Sequence, residues 1–412
     1  MTVLVVGLAR SGTAAVRALA ARGEDVRAYD RDERLDAAGL PGLADVRLGS
    51  WDDAWLAGVG LVVKSPGVPE DAAPVAAARM RGIPVIAEAE LAARLLPNPI
   101  LGVTGTNGKT TTTALLGAVF EAAGRPVEVA GNIGRPLSAL VGSALPDAWV
   151  VCELSSFQLE GVETLRPRVA VLTNLEPDHL DRHEGFDAYR EAKLRIFARQ
   201  EAGDVAVVPR GFPPVPGAAR RVEFAADDEL PAEPRLPGAH NRENAAAAAA
   251  AARAAGIDDG AIAEALRTFA GVEHRIEEVA EVAGVRFVND SKATNVAAAL
   301  RALAAFPGAR KHLILGGRGK GESYEPLAAA LVPGDRAYLI GEAAAPIADA
   351  LAAAAVPFVR AGDLEGAVAA AAAAAEPGDV VLLSPACASF DQFTSFEQRG
   401  EEFRRLVAKL AS

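Results

Sequence analysis

The segment Gly102-Val-Thr-Gly-Thr-Asn-Gly-Lys-Thr-Thr111 has the clearest chemical meaning in the chain. A β-branched apolar run enters a glycine-rich turn, and a helix-forming stretch, Thr110 to Ala123 closed by Gly124, leaves it. Successive backbone N–H groups at such a helix start make an anion cradle. Lys109 would reach the β- and γ-phosphates of a nucleoside triphosphate, and the Thr110 hydroxyl would bind Mg²⁺. Gly105, Thr106, Asn107, Gly108 and Thr111 complete the turn. The spacing departs from G-x-x-x-x-G-K-[ST], because Val103 rather than glycine stands five before Gly108. A Gly-Lys-Thr triplet alone also fits a chance turn; the order strand, loop, helix carries the phosphate reading.

A metal bound there needs a carboxylate. Trp149-Val-Val-Cys-Glu153 is an apolar run ending in an acid, and strand C-termini of open α/β sheets deliver ligands. Taken alone, Glu153 also reads as a strand-end acid facing water. The next run, Val169–Thr173, leads into Asn174-Leu-Glu-Pro-Asp-His-Leu-Asp181 and puts His179 beyond a neighbouring strand end. The alternative for His179 is a surface hydrogen bond to the adjacent aspartate. Lys193, in Tyr189–Phe197, reads by itself as a solvated lysine on a short amphipathic helix.

The elements that must hold these groups follow from alternation of β-branched runs with Ala/Leu-rich stretches, which predicts α/β domains with parallel sheets. At 412 residues the chain has room for two to four domains. Three blocks emerge: 1–93, 94–272 and 273–412, with Pro97-Asn98-Pro99 as a linker. The first opens with strand Val3–Val6 and a glycine turn, Gly7-x-Ala9-x-x-Gly12, with a second strand ending at Asp30 and a Lys64–Gly67 turn after strand Leu61–Val63. That turn resembles a dinucleotide fingerprint with alanine in place of the middle glycine, so a NAD-binding unit using Asp30 is a rival reading. The third block offers strands at Phe287–Asn289, Leu313–Leu315, Ala337–Ile340 and Val380–Ser384. The alanine runs Ala245–Ala252 and Ala369–Ala375 predict packed helices, with Asn244 opening the first of them.

Composition excludes several classes. Forty-two basic against fifty-four acidic residues, a net charge of −12, argue against a nucleic-acid or anionic-membrane binder. Two cysteines, Cys152 and Cys387, exclude a disulfide framework and suit a reducing cytoplasm. The N-terminus has no basic n-region, so no signal peptide is expected. No apolar stretch approaches the ~20 uninterrupted residues of a membrane span.

The chain resembles the ATP-dependent Mur ligases. The resemblance rests on Thr104–Thr111, Glu153-Leu-Ser-Ser-Phe-Gln-Leu-Glu160, Asn174–Asp181, His240-Asn-Arg-Glu-Asn244, Glu273-His-Arg275, Asn289-Asp-Ser-Lys-Ala-Thr-Asn295 and Gly316-Gly-Arg-Gly-Lys320, in order along the whole chain. The tail Ser384–Phe393 with Phe396-Glu-Gln-Arg-Gly400 is similar to members that add D-glutamate to UDP-N-acetylmuramoyl-L-alanine. The Asp-Asn-Pro-Arg-type motif of members that add a diamino acid is absent from the sequence.

The resemblance implies an N-terminal Rossmann-like domain for the UDP moiety, a central P-loop domain for ATP, and a C-terminal Rossmann-like domain for the amino acid. It implies activation of a carboxylate by ATP through an acyl phosphate and a tetrahedral intermediate, in cytoplasmic peptidoglycan precursor synthesis. Lys109, Glu153, His179 and Lys193 would be catalytic. Two Mg²⁺ sites are expected around Thr110, Glu153, His179 and Lys193, the last carbamylated. Asn244, Arg275 and Asp290 would contact the nucleotide. Arg10, Ser11, Asp30, Arg31, Ser65, Asn132, Ser155 and Gln158 would hold the nucleotide sugar and its peptide, and Lys292, Thr294, Lys320, Ser389 and Phe396 the D-glutamate. His274 would lie near the acyl phosphate. A monomer whose third domain swings inward on an open ligand-free state is expected.

Two rivals stay open at this point. One is another amide ligase of the superfamily, a different Mur ligase or a folate polyglutamylating enzyme. The other is a P-loop protein that binds nucleotide without ligation, for which Glu153, His179 and Lys193 would be superfluous.

Overall fold

A computed structural model describes every residue except Met1, Asp36, Ala38, Pro41, His179, Leu180, Asp181, Lys320, Ala411 and Ser412. The expectations for His179 and Lys320 therefore lie outside the described residues. The chain divides into two compact units, Met1–Phe269 and Ala270–Ser412.

The first unit holds two sheets. The N-terminal one runs β1 (Thr2–Val6), α1 (Arg10–Ala20), β2 (Asp25–Asp30), β3 (Leu43–Leu48), β4 (Val59–Lys64), α2 (Ala73–Met80), β5 (Val85–Ala87) and α3 (Glu88–Leu95). Its order β3-β2-β1-β4-β5 is all parallel and reverses direction beside β1. In such a sheet that reversal opens a ligand crevice at the strand C-termini.

The second sheet follows as β6 (Ile100–Thr104), α4 (Lys109–Ala122), β7 (Val127–Gly131), β8 (Trp149–Glu153), α5 (Ser156–Leu159), β9 (Val169–Leu172), α6 (Phe186–Leu194), β10 (Val205–Pro209), β11 (Arg220–Phe224), α7 (Ala239–Ala254) and α8 (Asp259–Thr268). The order is β11-β10-β9-β6-β8-β7, again parallel. β6 is central and fully buried, which explains its unbroken apolar run, since both faces are covered. α4, α7 and α8 cover one face with Leu116, Val119, Phe120 and Ile262. Seven alanines of α7 are buried there; small side chains let the helix lie close to the sheet while keeping high helix propensity.

The second unit comprises β12 (Glu277–Val282), β13 (Val285–Asn289), α9 (Val296–Ala304), β14 (Lys311–Gly316), α10 (Glu325–Ala330), β15 (Arg336–Ile340), α11 (Ala344–Ala353), β16 (Phe358–Gly362), α12 (Leu364–Ala374), β17 (Val380–Leu383) and α13 (Phe396–Leu410). The order β12-β13-β17-β14-β15-β16 is parallel except for β12, which pairs antiparallel with β13. The three domains are thus α/β, two with parallel sheets and one mixed. Side-chain caps start α8, α9 and α12, from Asp258, Asn295 and Asp363.

Asn244 does not open its helix. α7 begins at Ala239, so Asn244 is its sixth residue, and it is buried. The five residues before the alanine run are polar, and this hid the helix start.

Candidate active site

The glycine turn between β6 and α4 is shaped by two positive φ angles, +142° at Gly105 and +78° at Gly108. A Cβ on Gly105 would lie 2.0 Å from Thr173 Oγ1, and one on Gly108 would lie 2.1 Å from Asn244 Oδ1. Glycine is required at both positions for conformation and for space. α4 starts without a side-chain cap and with no acid in its first turn. A helix start of this kind suits an anion, because its leading N–H groups point out of the helix.

Neighbouring strand ends clamp the turn. Thr106 N–H donates to Asn174 O at 3.0 Å and Asn107 N–H to Asn174 Oδ1 at 2.8 Å. Thr173 Oγ1 donates to Asn107 O at 2.5 Å, and Asn107 Nδ2 donates to Glu176 Oε2 at 2.8 Å. Thr106 Oγ1 sits 3.0 Å from Tyr189 Oη. Sequence reasoning missed Thr173, Asn174 and Tyr189 as loop supports; their signal was their place beside strand β9 and in the helix of Lys193.

Glu153 is 2% exposed rather than facing water. Thr110 Oγ1 donates to its Oε2 at 2.8 Å, and Asn132 Nδ2 donates to its Oε1 at 2.8 Å. Asn132, expected at the sugar diphosphate, is thus brought to the carboxylate. Oxygen donors from a carboxylate and a hydroxyl beside an anion cradle match the hard-ligand chemistry of Mg²⁺. Among the described residues no cluster of three His, Cys, Asp or Glu side chains could hold a metal by itself.

Lys193 is 2% exposed and not solvated. Its Nζ donates to Gly105 O at 2.6 Å and lies 4.6 Å from the centre of the Tyr189 ring. Lys109 Nζ donates to the same oxygen at 2.9 Å and to Thr106 O at 2.8 Å. Burial, then the nearby Lys109 charge, pushes the Lys193 amine down to about 6, against the opposite pull of Asp178 and Glu153. Burial pushes the Tyr189 hydroxyl up to about 12.

After α5's entry, Ser155 and Gln158 form a capping box: Gln158 N–H donates to Ser155 Oγ, and Ser155 N–H donates to Gln158 Oε1. Both residues expected at the peptide end thereby build the helix start next to Glu153. Ser156 Oγ lies 2.9 Å from His183 Nε2, and His183 Nδ1 lies 3.3 Å from Glu160 Oε1. Arg182 donates to Val68 O at 3.1 Å, joining this cluster to the turn after β4.

In the N-terminal sheet the fingerprint turn is closed internally. Ser65 Oγ donates to Gly7 O at 2.8 Å, and Asp30 accepts from Leu8 N–H at 2.6 Å and Asp32 N–H at 2.9 Å. A Cβ on Gly12 would meet Gly7 O at 1.7 Å, so close packing demands glycine. Arg10 donates to Gly134 O at 2.6 Å. Ser11 is half-buried in α1 and Arg31 is exposed.

Within the second unit, Asp290 follows β13 and is buried; it accepts from Ser384 Oγ at 2.7 Å and Ile276 N–H at 3.2 Å. Burial pushes its carboxyl up to about 6, with the Ser384 hydroxyl opposing. Arg275 is half-buried beside His274, whose φ is +61° and whose Nδ1 lies 2.9 Å from Asn289 Nδ2. Lys292 Nζ lies 5.6 Å from the centre of the Phe396 ring, while Ser389 is buried and Thr294 half-buried. These residues gather at the C-terminal ends of β13 and β17.

Known protein families match the chain domain by domain. Residues 1–87 match the Mur ligase MurD-like N-terminal domain, 103–220 the Mur ligase middle domain, and 274–387 the Mur ligase glutamate ligase domain. The chain is 48% identical to a UDP-N-acetylmuramoylalanine–D-glutamate ligase of Anaeromyxobacter dehalogenans, covering 99% of this chain and 98% of that one. It is also 48% identical to the protein of the same name from Sphingopyxis alaskensis, covering 99% and 97%. Among solved structures, the UDP-N-acetylmuramate-alanine ligase MurC of Thermotoga maritima matches with a TM-score of 0.62 at 21% identity, over 99% of each chain. With every domain matched in order and relatives at nearly half identity over full length, the chain belongs to the Mur ligase family.

Proposed function

We propose that the chain ligates D-glutamate to UDP-N-acetylmuramoyl-L-alanine at the expense of ATP. The observation that carries the activation step is the buried Thr110–Glu153 pair at the uncapped start of α4, beside the Lys109 amine. The identity of the amino acid is supported by relatives at 42–48% identity that bear that activity in their names. Rival ligases are not favoured. The bifunctional folylpolyglutamate synthase/dihydrofolate synthase of Yersinia pestis matches over 78% of this chain at 22% identity, against 48% over 99% for the D-glutamate ligase of Anaeromyxobacter dehalogenans.

In this reading residues 1–93 hold the nucleotide sugar, 94–272 the ATP and 273–412 the amino acid. The substrate carboxylate attacks the γ-phosphorus, the bond to the β-phosphate oxygen breaks, and ADP leaves. The amine then adds to the acyl carbon, and phosphate leaves from the tetrahedral intermediate. Phosphoryl transfer rests on positioning and charge: the N–H groups of the turn hold the phosphates and Lys109 reaches their outer oxygens. Thr110 and Glu153 would hold one Mg²⁺, and His179 with modified Lys193 a second. When bound, such ions neutralise charge between two approaching anions, whose repulsion at ~4 Å is about 4 kcal/mol at an effective dielectric of 20.

A buried amine with a pKa of about 6 is neutral at pH 7. It can therefore attack CO₂, forming an N–C bond and releasing one proton, and the product carbamate is an anion where a second cation beside Lys109 is disfavoured. Asn244, Arg275 and Asp290 are assigned to the nucleotide by the same reading, and Lys292, Thr294, Lys320, Ser389 and Phe396 to D-glutamate. The enzyme would act as a cytoplasmic monomer; among the described residues no helix is long and apolar enough to cross a membrane.

A coupled ADP-release assay tests the proposal. Turnover should require the nucleotide sugar and D-glutamate together. Equal release with other amino acids, or without any, would reject it.

A further inference from the structure

Arg399 has no part in the reading above, although it sits in the tail motif Phe396–Gly400. Its side chain is 1% exposed. Nε donates to Ser291 Oγ at 2.9 Å, Nη2 to Ser291 O at 2.8 Å and to Cys387 O at 3.1 Å, and Nη1 to Ala388 O at 3.4 Å. All four acceptors are neutral. Among the described residues no carboxylate stands within ion-pairing distance of the guanidinium. Asp391 and Asp290 lie near enough to favour the cation without pairing with it, so the charge rests mainly on neutral acceptors, a costly arrangement in a buried place. Burial lowers its pKa to about 10, so it stays a cation at neutral pH.

The acceptors sit on the exits of two strands, and a third exit passes close to the same group. Ser291 follows β13; Cys387 and Ala388 follow β17. Gly317 follows β14, and a Cβ there would lie 3.1 Å from Arg399 Nη1 and 2.2 Å from Ala388 O. Arg318 and Ala388 exchange backbone hydrogen bonds at 2.9 and 3.0 Å. Ser291 Oγ passes the contact on by donating to Phe396 O at 2.8 Å. These exits carry, in turn, Lys292 and Thr294, Lys320, and Ser389.

We propose that Arg399 is the positioning residue of the amino-acid pocket: it ties the exits of β13 and β17 together alongside that of β14, and its charge, not ion-paired among the described residues, favours an amino acid with two carboxylates. This rests on the reading that the second unit takes an acidic amino acid. The planar fork matters as well as the charge, because a lysine cannot serve Ser291, Cys387 and Ala388 at once.

The test uses the full chain with Arg399→Lys and Arg399→Met. ADP release is titrated with D-glutamate at saturating ATP and nucleotide sugar, and hydrogen–deuterium exchange is followed without ligands over 290–294, 316–319 and 386–390. Arg399→Lys should raise the KM for D-glutamate about tenfold, leave the other two KM values within about twofold, and speed exchange in those three segments alone. Arg399→Met should raise that KM about a hundredfold and flatten the salt dependence of kcat/KM for D-glutamate. A wild-type KM or wild-type exchange in Arg399→Lys overturns the proposal, as does an equal rise in all three KM values. Should Arg399→Met fail to fold, Arg399→Lys decides. A wild-type enzyme idle with D-glutamate would reject the functional reading, while the exchange data would still judge the tie.

Discussion

Lys193 and Lys109 donate to one carbonyl oxygen, that of Gly105, at 2.6 and 2.9 Å. Two amines converging on one acceptor inside the protein cannot both carry charge cheaply, and the more buried one yields its proton. Replacing Lys193 by alanine should cut turnover about 100-fold if a modified Lys193 supplies an anion at the site. Added formate or acetate should then restore part of the rate. A Lys193→Ala enzyme with unimpaired turnover in plain buffer would remove Lys193 from the chemistry.

Glu153 is tested by Glu153→Gln, which keeps an oxygen for Thr110 but removes the charge. The Mg²⁺ concentration giving half-maximal rate should rise about 10- to 100-fold. Asn132→Ala should give a smaller rise, since it releases only the hydrogen bond to Oε1. Magnesium titrations of the rate at fixed ATP separate these outcomes, and an unshifted midpoint in Glu153→Gln counts against a metal role.

Gly108→Ala combines a left-handed backbone with an overlap on Asn244 Oδ1. The backbone alone should cost about 1–2 kcal/mol. Asn244→Ala removes the overlap but not the backbone strain. The double variant should therefore unfold in urea at a higher concentration than additivity of the two singles predicts.

Asp290 gives a signed pH dependence. Its carboxyl is raised to about 6 in the fold, above its ordinary value of 3.8. Between these values the folded state binds more protons than the unfolded state, so Asp290's contribution to stability is fully present below pH 3.8 and is lost as pH rises through about 6. Asp290→Asn, which cannot ionise, should lack this loss. Its urea midpoint relative to the parent chain should be more favourable at pH 7.5 than at pH 4; a constant difference would contradict the shift.

Much was legible from local pattern. The strand, loop and helix around Lys109 could be read because a buried parallel strand is continuously apolar and a phosphate turn needs glycine at set places. The same logic found β1, β6, β8 and β13. It passed over the edge strands β3, β5, β11, β12 and β16, and also β10. β11 carries Arg220, Arg221 and Glu223, and β12 carries Glu277, Glu278 and Glu281. Edge strands are partly solvated and use charge to avoid unwanted pairing, so the apolar signal of β11 and β12 is broken, while β5 is only three residues long.

Residue types and their order along the chain were enough to set the family and to put forward the groups proposed to react. Only the tertiary structure decided which of those groups lose water and which neighbours they acquire. Lys193 is buried because α6 folds against a turn 88 positions earlier. Glu153 is met by Thr110 across 43 positions. Arg399 reaches Ser291 across 108. Burial and charge proximity depend on distance in space, and a pattern read along the chain carries only its near neighbours.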